Sequence, residues 1–220
     1  MISIFIKLLI NIYLVIALFC LPLIAYPNNV PDLLSIELEN YKKACLRTTS
    51  FKAKFTQTYY NAIAKDKKEE KGKILFHSPN MILMKYEKPN NNFFLFDGNF
   101  FYFYNSQENQ VIKTDPSDDK AKWFDLLTNC NITSYFEITK YKLTPSLISL
   151  ILKPLKSNEE IMSINAIINR TDYTISNITI IETIGNQNSF SFSNISLNCK
   201  VELNLFKFIK PKNAEIVYLQ

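Results

Sequence analysis

Residues 50–105 constrain the fold of this chain more than any other stretch. They open with Ser50-Phe51-Lys52-Ala53-Lys54-Phe55-Thr56-Gln57, in which Phe51, Ala53 and Phe55 alternate with Lys52, Lys54 and Thr56. A period of two, with one apolar and one polar side, is the pattern of a half-buried strand. A charged turn follows, then Gly72-Lys73-Ile74-Leu75-Phe76-His77-Ser78-Pro79 and a second run from Met81 to Pro89. Asp97-Gly98 then separates two aromatic runs. That is a strong hairpin signal, because Gly supplies the positive φ that a tight turn needs. The chain has only three glycines, Gly72, Gly98 and Gly185, and each falls where a meander would place a turn or the start of a strand.

Of the twelve residues from Phe93 to Tyr104, eight are Phe or Tyr. In strands this run puts rings on both faces of a sheet. One face can pack on a core, and the other must be covered or become an exposed patch. A two-sided core under a helix and a lined cavity use the same residues, so the pattern leaves both open.

Asp32 is a good N-cap for a helix that starts at Leu33. From there Leu34, Leu38, Tyr41 and Cys45 recur at helical spacing, while Glu37, Glu39, Lys42 and Lys43 fall elsewhere, which describes an amphipathic helix of about four turns. Strands are expected over 51–62, 72–78, 81–88, 92–97, 100–105 and 109–114. A second helix is expected over 118–129, with Trp123, Phe124, Leu126 and Leu127 apolar. The second half returns to strands over 136–141, 147–153, 161–169, 176–183, 188–195 and 201–208. Strands of similar length separated by turn residues describe one antiparallel sheet, curved or closed. No linker, repeat or low-complexity tract divides residues 26–220, so they read as a single domain.

Residues 1–25 read as a secretory signal peptide: Lys7 supplies the positive start, residues 8–24 are almost wholly apolar, and Ala25 can end the segment. The competing reading is an uncleaved anchor, but the run is near the lower limit for a spanning helix. Cys20 follows the bulky Phe19, unlike the small residue that precedes a lipidated cysteine.

Lys and Arg exceed Asp and Glu by five, and the excess is spread along the chain, which leaves no nucleic-acid footprint. His77 is the single histidine, so multi-histidine metal sites and paired-histidine catalysis are excluded. No nucleophile elbow, phosphate loop or dinucleotide fingerprint occurs. Beyond the signal-like segment stand Cys45, Cys130 and Cys199. One bridge plus a free thiol fits three cysteines in an oxidising compartment. The place of Cys45 on an apolar helix stripe points instead to buried, unpaired thiols.

In motif order the chain resembles the periplasmic outer-membrane lipoprotein carrier family, LolA. The resemblance rests on F-x-A-x-F-x-Q at 51–57 and on the spaced Pro79, Pro89 and Asp97-Gly98. It continues through Leu150-Ile151-Leu152-Lys153-Pro154, Ile184-Gly185-Asn186 and Phe206-Lys207-Phe208-Ile209-Lys210-Pro211, and so covers nearly all of residues 26–220. It implies a mostly β fold with helices, an incomplete, half-open antiparallel β-barrel covered by an α-helical lid. It also implies a monomeric periplasmic carrier that is not an enzyme and uses no cofactor or metal. The implied partners are acylated lipoproteins, an inner-membrane ABC lipoprotein exporter and an outer-membrane acceptor lipoprotein. A same-fold carrier or sensor of free lipid or glycolipid, and a structural module with a filled core, are the alternatives.

The resemblance further implies a lipid cavity walled by Phe51, Phe55, Ile82, Met84, Tyr86, Phe94, Phe101 and Phe103, with Met84 where the family usually has Trp. Leu34, Leu38, Tyr41 and Cys45 would form one part of the lid, and Phe124 and Leu127 the other. The chief departure is Ser78, which stands where the family has an Arg implied to hydrogen-bond the lid. One hydroxyl cannot reproduce a forked, charged donor. Either Lys85 or Lys88 takes over, or the empty carrier is held shut more weakly.

Overall fold

Alternating stretches of the sequence become twelve strands in the computed structural model, which describes residues 32–115, 125–128, 130–156 and 160–218. The signal-like segment 1–25, and Trp123 and Phe124 of the expected second helix, lie outside the described residues.

The first described element is helix α1 (Leu33–Leu46). A meander follows: β1 (Ser50–Asn61), β2 (Asp66–His77), β3 (Met81–Tyr86), β4 (Phe93–Phe96), β5 (Phe101–Asn105) and β6 (Gln110–Thr114). After the short helix α2 (Asp125–Thr128) comes a second meander, β7 (Phe136–Leu143), β8 (Leu147–Pro154), β9 (Ile161–Asn169), β10 (Ile175–Glu182) and β11 (Gln187–Leu197). β12 (Glu215–Tyr218) is the last described strand. The sheet order is β12-β6-β5-β4-β3-β2-β1-β11-β10-β9-β8-β7, so the two meanders join where β1 pairs with β11. The sheet is open: its edges, β12 and β7, do not pair with each other.

The aromatic run divides by parity. Phe94, Phe96 and Phe101 face the main core beside Ile74, Ile82 and Met84. Phe93, Leu95, Tyr102 and Tyr104 face the other side. That outer face is covered by the chain after β11, through Phe206, Phe208, Ala214 and Ile216, with Tyr102 stacked on Phe208 at 4.1 Å. The expected strand over 201–208 is therefore absent. A 3-10 turn (Leu203–Phe206) stands there instead, because these residues cap an apolar sheet face rather than extend the ladder. β12 was not anticipated, and it pairs parallel to β6, which departs from the all-antiparallel expectation. The charged residues 66–71, read as a turn, lengthen β2. Their backbone pairs with β1 as far as Asn61 and Asp66, and Lys68 and Lys71 reach Glu70 and Glu69 at 3.3 and 3.4 Å.

The opening motif has a packing logic. Phe55 lies directly across from Gly72 in the β1–β2 ladder. A Cβ at Gly72 would sit 2.4 Å from the Phe55 ring and 2.4 Å from the Lys85 carbonyl oxygen. Gln57 accepts a hydrogen bond from the Tyr86 hydroxyl at 2.6 Å and donates to Asn188 at 2.8 Å. At the β4–β5 turn, Gly98 has φ +98° and the Asp97 carboxylate accepts from the Asn99 and Phe100 amides. Gly72→Ala must displace either a buried ring or backbone, and overpacking of that kind costs ~1–3 kcal/mol. A urea titration should show a lower midpoint with unchanged slope.

Candidate binding cavity beneath the lid helix

Helix α1 lies over the inner face of the sheet. Tyr41 is buried in the main core, and Leu34 and Leu38 pack against it. The Tyr41 hydroxyl donates to the Leu126 carbonyl of α2 at 3.0 Å. Burial pushes its phenol well above the ordinary value of 10, so it stays a neutral donor. One turn further on, Cys45 is bonded to Cys130 just after α2, with 5.3 Å between the Cα atoms. The sequence pattern favoured unpaired thiols, and the tertiary fold overturns that by bringing two segments 85 residues apart into bonding range. Closing a loop of that length contributes ~4–5 kcal/mol on a chain-entropy estimate. Among the described residues, Cys199 is a free cysteine. α1 and α2 are thus joined covalently into one roof.

Beneath that roof is a cavity of about 420 Å³. Tyr41, Ala44 and Cys45 of α1 and Leu126 and Leu127 of α2 form its upper side. Phe51 and Ala53 of β1, Phe76 of β2, and Phe192 and Ile195 of β11 form the floor. Tyr173, Thr174 and Ile175 of the β9–β10 hairpin form a side wall. Two local features make the floor. Ala53 is the small residue between Phe51 and Phe55 on one strand face. Opposite it, β11 carries a bulge: Lys52 pairs with Ser196 but Lys54 with Ser193, and Asn194 has φ +53°. The extra residue shifts the side-chain phase, so Phe190 and Phe192 before it and Ile195 after it all face inward.

Of the residues expected from the sequence, Phe51, Tyr41, Cys45, Leu127 and Ser78 line this cavity. Phe55, Ile82, Met84 and Phe101 are buried in the main core, with Tyr86 and Phe94 packed against it, and none of them lines the cavity. Their rings fill the space themselves: Phe55 meets Tyr86 edge-on at 5.1 Å, and Phe96 stacks on Phe101 at 4.2 Å. Phe103 is half-buried and does not line the cavity. Phe124 lies outside the described residues. The β11 and β9–β10 contributions were missed. The signal for β11 is legible in Phe190-Ser191-Phe192-Ser193-Asn194-Ile195-Ser196-Leu197, whose alternation skips one beat at Asn194.

The roof helix also carries a buried carboxylate. Glu37, placed off the apolar stripe by helical spacing, is buried. Arg170 donates to its Oε1, and the Tyr173 hydroxyl donates to its Oε2 at 3.0 Å. The Arg170 guanidinium holds the Glu37 carboxyl below its ordinary value of 4.5, against the opposing effect of burial. Lys85 and Lys88, the expected substitutes for the missing Arg at Ser78, are both exposed. Ser78 itself is half-buried, and its amide donates to the Thr49 carbonyl at 2.9 Å. Among the described residues, no three His, Cys, Asp or Glu side chains are grouped to hold a metal ion. No described helix is long and apolar enough to cross a membrane.

The model of the outer membrane lipoprotein carrier protein LolA family matches residues 47–209. The chain belongs to that family. Its members are carriers rather than enzymes. The outer-membrane lipoprotein carrier protein of Actinobacillus succinogenes is 28% identical over 169 residues, which span 77% of this chain and 79% of that protein. The protein of the same name from Glaesserella parasuis serovar 5 is 26% identical over 170 residues, with 77% and 79% covered. Among solved structures, an uncharacterized conserved protein from Thermus thermophilus matches with a TM-score of 0.51 at 14% identity, covering 84% of this chain and 99% of that one. That likeness concerns the fold alone.

For this LolA-family chain, Glu37 has a consequence for pH. A carboxylate whose folded value is depressed contributes stability above its unfolded value and loses it as pH falls through the folded one. The Glu37 contribution should therefore be constant from neutral pH down to about 5. It should begin to fall below 4.5, the ordinary value of the group. In Glu37→Gln a pH–stability curve should be flatter below pH 4.5.

Proposed function

We propose that this protein is a periplasmic carrier that shelters the acyl chains of lipoproteins between the inner and the outer membrane. The observation that carries this reading is an apolar-floored cavity under a two-piece helical roof, on the fold of a lipoprotein carrier family. Relatives named outer-membrane lipoprotein carrier proteins support it along most of their length. The donor would be an inner-membrane ABC lipoprotein exporter and the acceptor an outer-membrane lipoprotein, with residues 1–25 directing the chain across the inner membrane. The protein would act as a monomer, without cofactor or nucleic acid.

Holding an acyl chain away from water is a large task. Each exposed CH₂ costs ~0.8 kcal/mol, so a chain of about sixteen carbons represents ~13 kcal/mol. Aromatic and aliphatic side chains such as Phe51, Phe76, Phe192 and Ile195 offer that surface without demanding one fixed pose. A cavity of about 420 Å³ lies in the lower part of the ~300–1,000 Å³ spanned by small-ligand pockets. That size favours, as a second reading, a single-chain free lipid, whereas a multi-chain anchor requires the roof to lift.

Native mass spectrometry of the protein taken from its own periplasm discriminates the two: an acylated peptide supports lipoprotein carriage, and a free lipid alone supports the second reading. Replacing the small floor residue gives a direct test of the cavity. Ala53→Phe should weaken binding of a fluorescent fatty acid by about tenfold or more, ~1.4 kcal/mol, while far-UV circular dichroism stays unchanged. Full affinity in a folded Ala53→Phe protein would place acyl binding elsewhere.

A further inference from the structure

The two ends of the roof helix are held by bonds of different kinds. At its C-terminal end, α1 is joined to the segment after α2 by the Cys45–Cys130 disulfide. Toward its N-terminal end the hold is polar and reversible. The Glu37 side chain is only 5% exposed, and both of its oxygens are engaged from the β9–β10 hairpin, one by Arg170 and one by Tyr173. The other guanidinium nitrogen of Arg170 donates to the Thr144 carbonyl at 2.6 Å, which anchors the arginine to the β7–β8 turn.

The same hairpin walls the cavity. Tyr173 lines it, and its hydroxyl bonds Glu37. The seam between α1 and the hairpin therefore lies along the cavity, and the polar cluster crosses that seam. A buried carboxylate is stable only while its partners stay in place, because unpaired burial of a charge is costly. If the helix lifts, the same carboxylate is solvated by water. The cluster thus favours two discrete arrangements, bonded and shut or hydrated and open, over intermediate ones.

We propose that Glu37, Arg170 and Tyr173 are the latch of this cavity. On opening, α1 swings off the β9–β10 hairpin about its disulfide-bonded Cys45 end, and an acyl chain enters at that seam. Arg170 acts as a positioning residue: it sets the population of the shut state without touching cargo. It does so from a different strand pair than Ser78, and neither Lys85 nor Lys88 is needed. The proposal rests on the carrier reading for the identity of what enters, but not for the movement itself.

The test separates the two. Spin labels at positions 36 and 171, in a Cys199→Ser background that leaves Cys45–Cys130 intact, report the seam in lipid-free protein. Arg170→Met should lengthen and broaden that distance. It should also tighten binding of a fluorescent fatty acid by about tenfold, because the shut state no longer competes with the ligand. The charge swap Glu37→Arg with Arg170→Glu should return both readouts toward the parent values, and Tyr173→Phe should move them a smaller way in the direction of Arg170→Met. A folded Arg170→Met protein with an unchanged distance overturns the latch. If Arg170→Met does not fold, Tyr173→Phe decides instead, since it leaves no charge unpaired, and an unchanged distance there overturns the latch. Absence of acyl binding in the parent protein would sink the carrier reading alone, since the distance measurement still decides the latch.

Discussion

The pairing of β1 with β11 is the contact on which the rest of this structure depends. Each meander by itself would leave open edges and an uncovered apolar face. Joined along nine paired positions, they present one inner surface, and residues of both halves belong to a single core. The cavity floor sits on this junction, with Phe51 and Ala53 from one side and Phe192 and Ile195 from the other. The hollow arises where the two halves meet imperfectly, at a small side chain facing a bulge. A regular ladder with a large residue at position 53 would have closed it.

The two faces of the sheet are finished in different ways. On the outer face the C-terminal segment packs Phe206 and Phe208 onto Leu83, Leu95 and Tyr102, and that face is filled. On the inner face the aromatic strands β3 to β5 fill their own end with stacked and edge-on rings. The cavity lies toward β1, β11 and the β9–β10 hairpin, where a helix rather than a sheet provides the cover. A helix tethered by a few side chains can move away without disturbing the strand ladder beneath it. The Glu37–Arg170 ion pair joins this helix to the β9–β10 hairpin.

Much of the fold was legible in residues 50–105. Alternation at Phe51, Ala53 and Phe55 and the Asp97-Gly98 turn are local signals, because strand period and turn geometry are properties of neighbouring residues. The amphipathic stripe of α1 was legible for the same reason, with Tyr41 buried and Leu34 and Leu38 packed on the core. Glu37 was not, since helical spacing alone marks it as outward, and only the approach of Arg170 and Tyr173, 133 and 136 positions away, makes its burial stable. The residues at 201–208 misled because an apolar alternating run suits a strand and a sheet-covering strap equally well.

By itself, the amino-acid sequence determined the strand-rich class, the lid helix, the aromatic hairpin and membership of a carrier-like motif order. All of these depend on spacings of a few residues. Only the tertiary structure decided where space remains under the lid, that Cys45 finds Cys130, and that Arg170 rather than Lys85 or Lys88 meets the helix. Each of those rests on contacts between segments far apart in the chain. An unfilled volume, moreover, is a property of how neighbouring strands fit together, and no single stretch of residues encodes it.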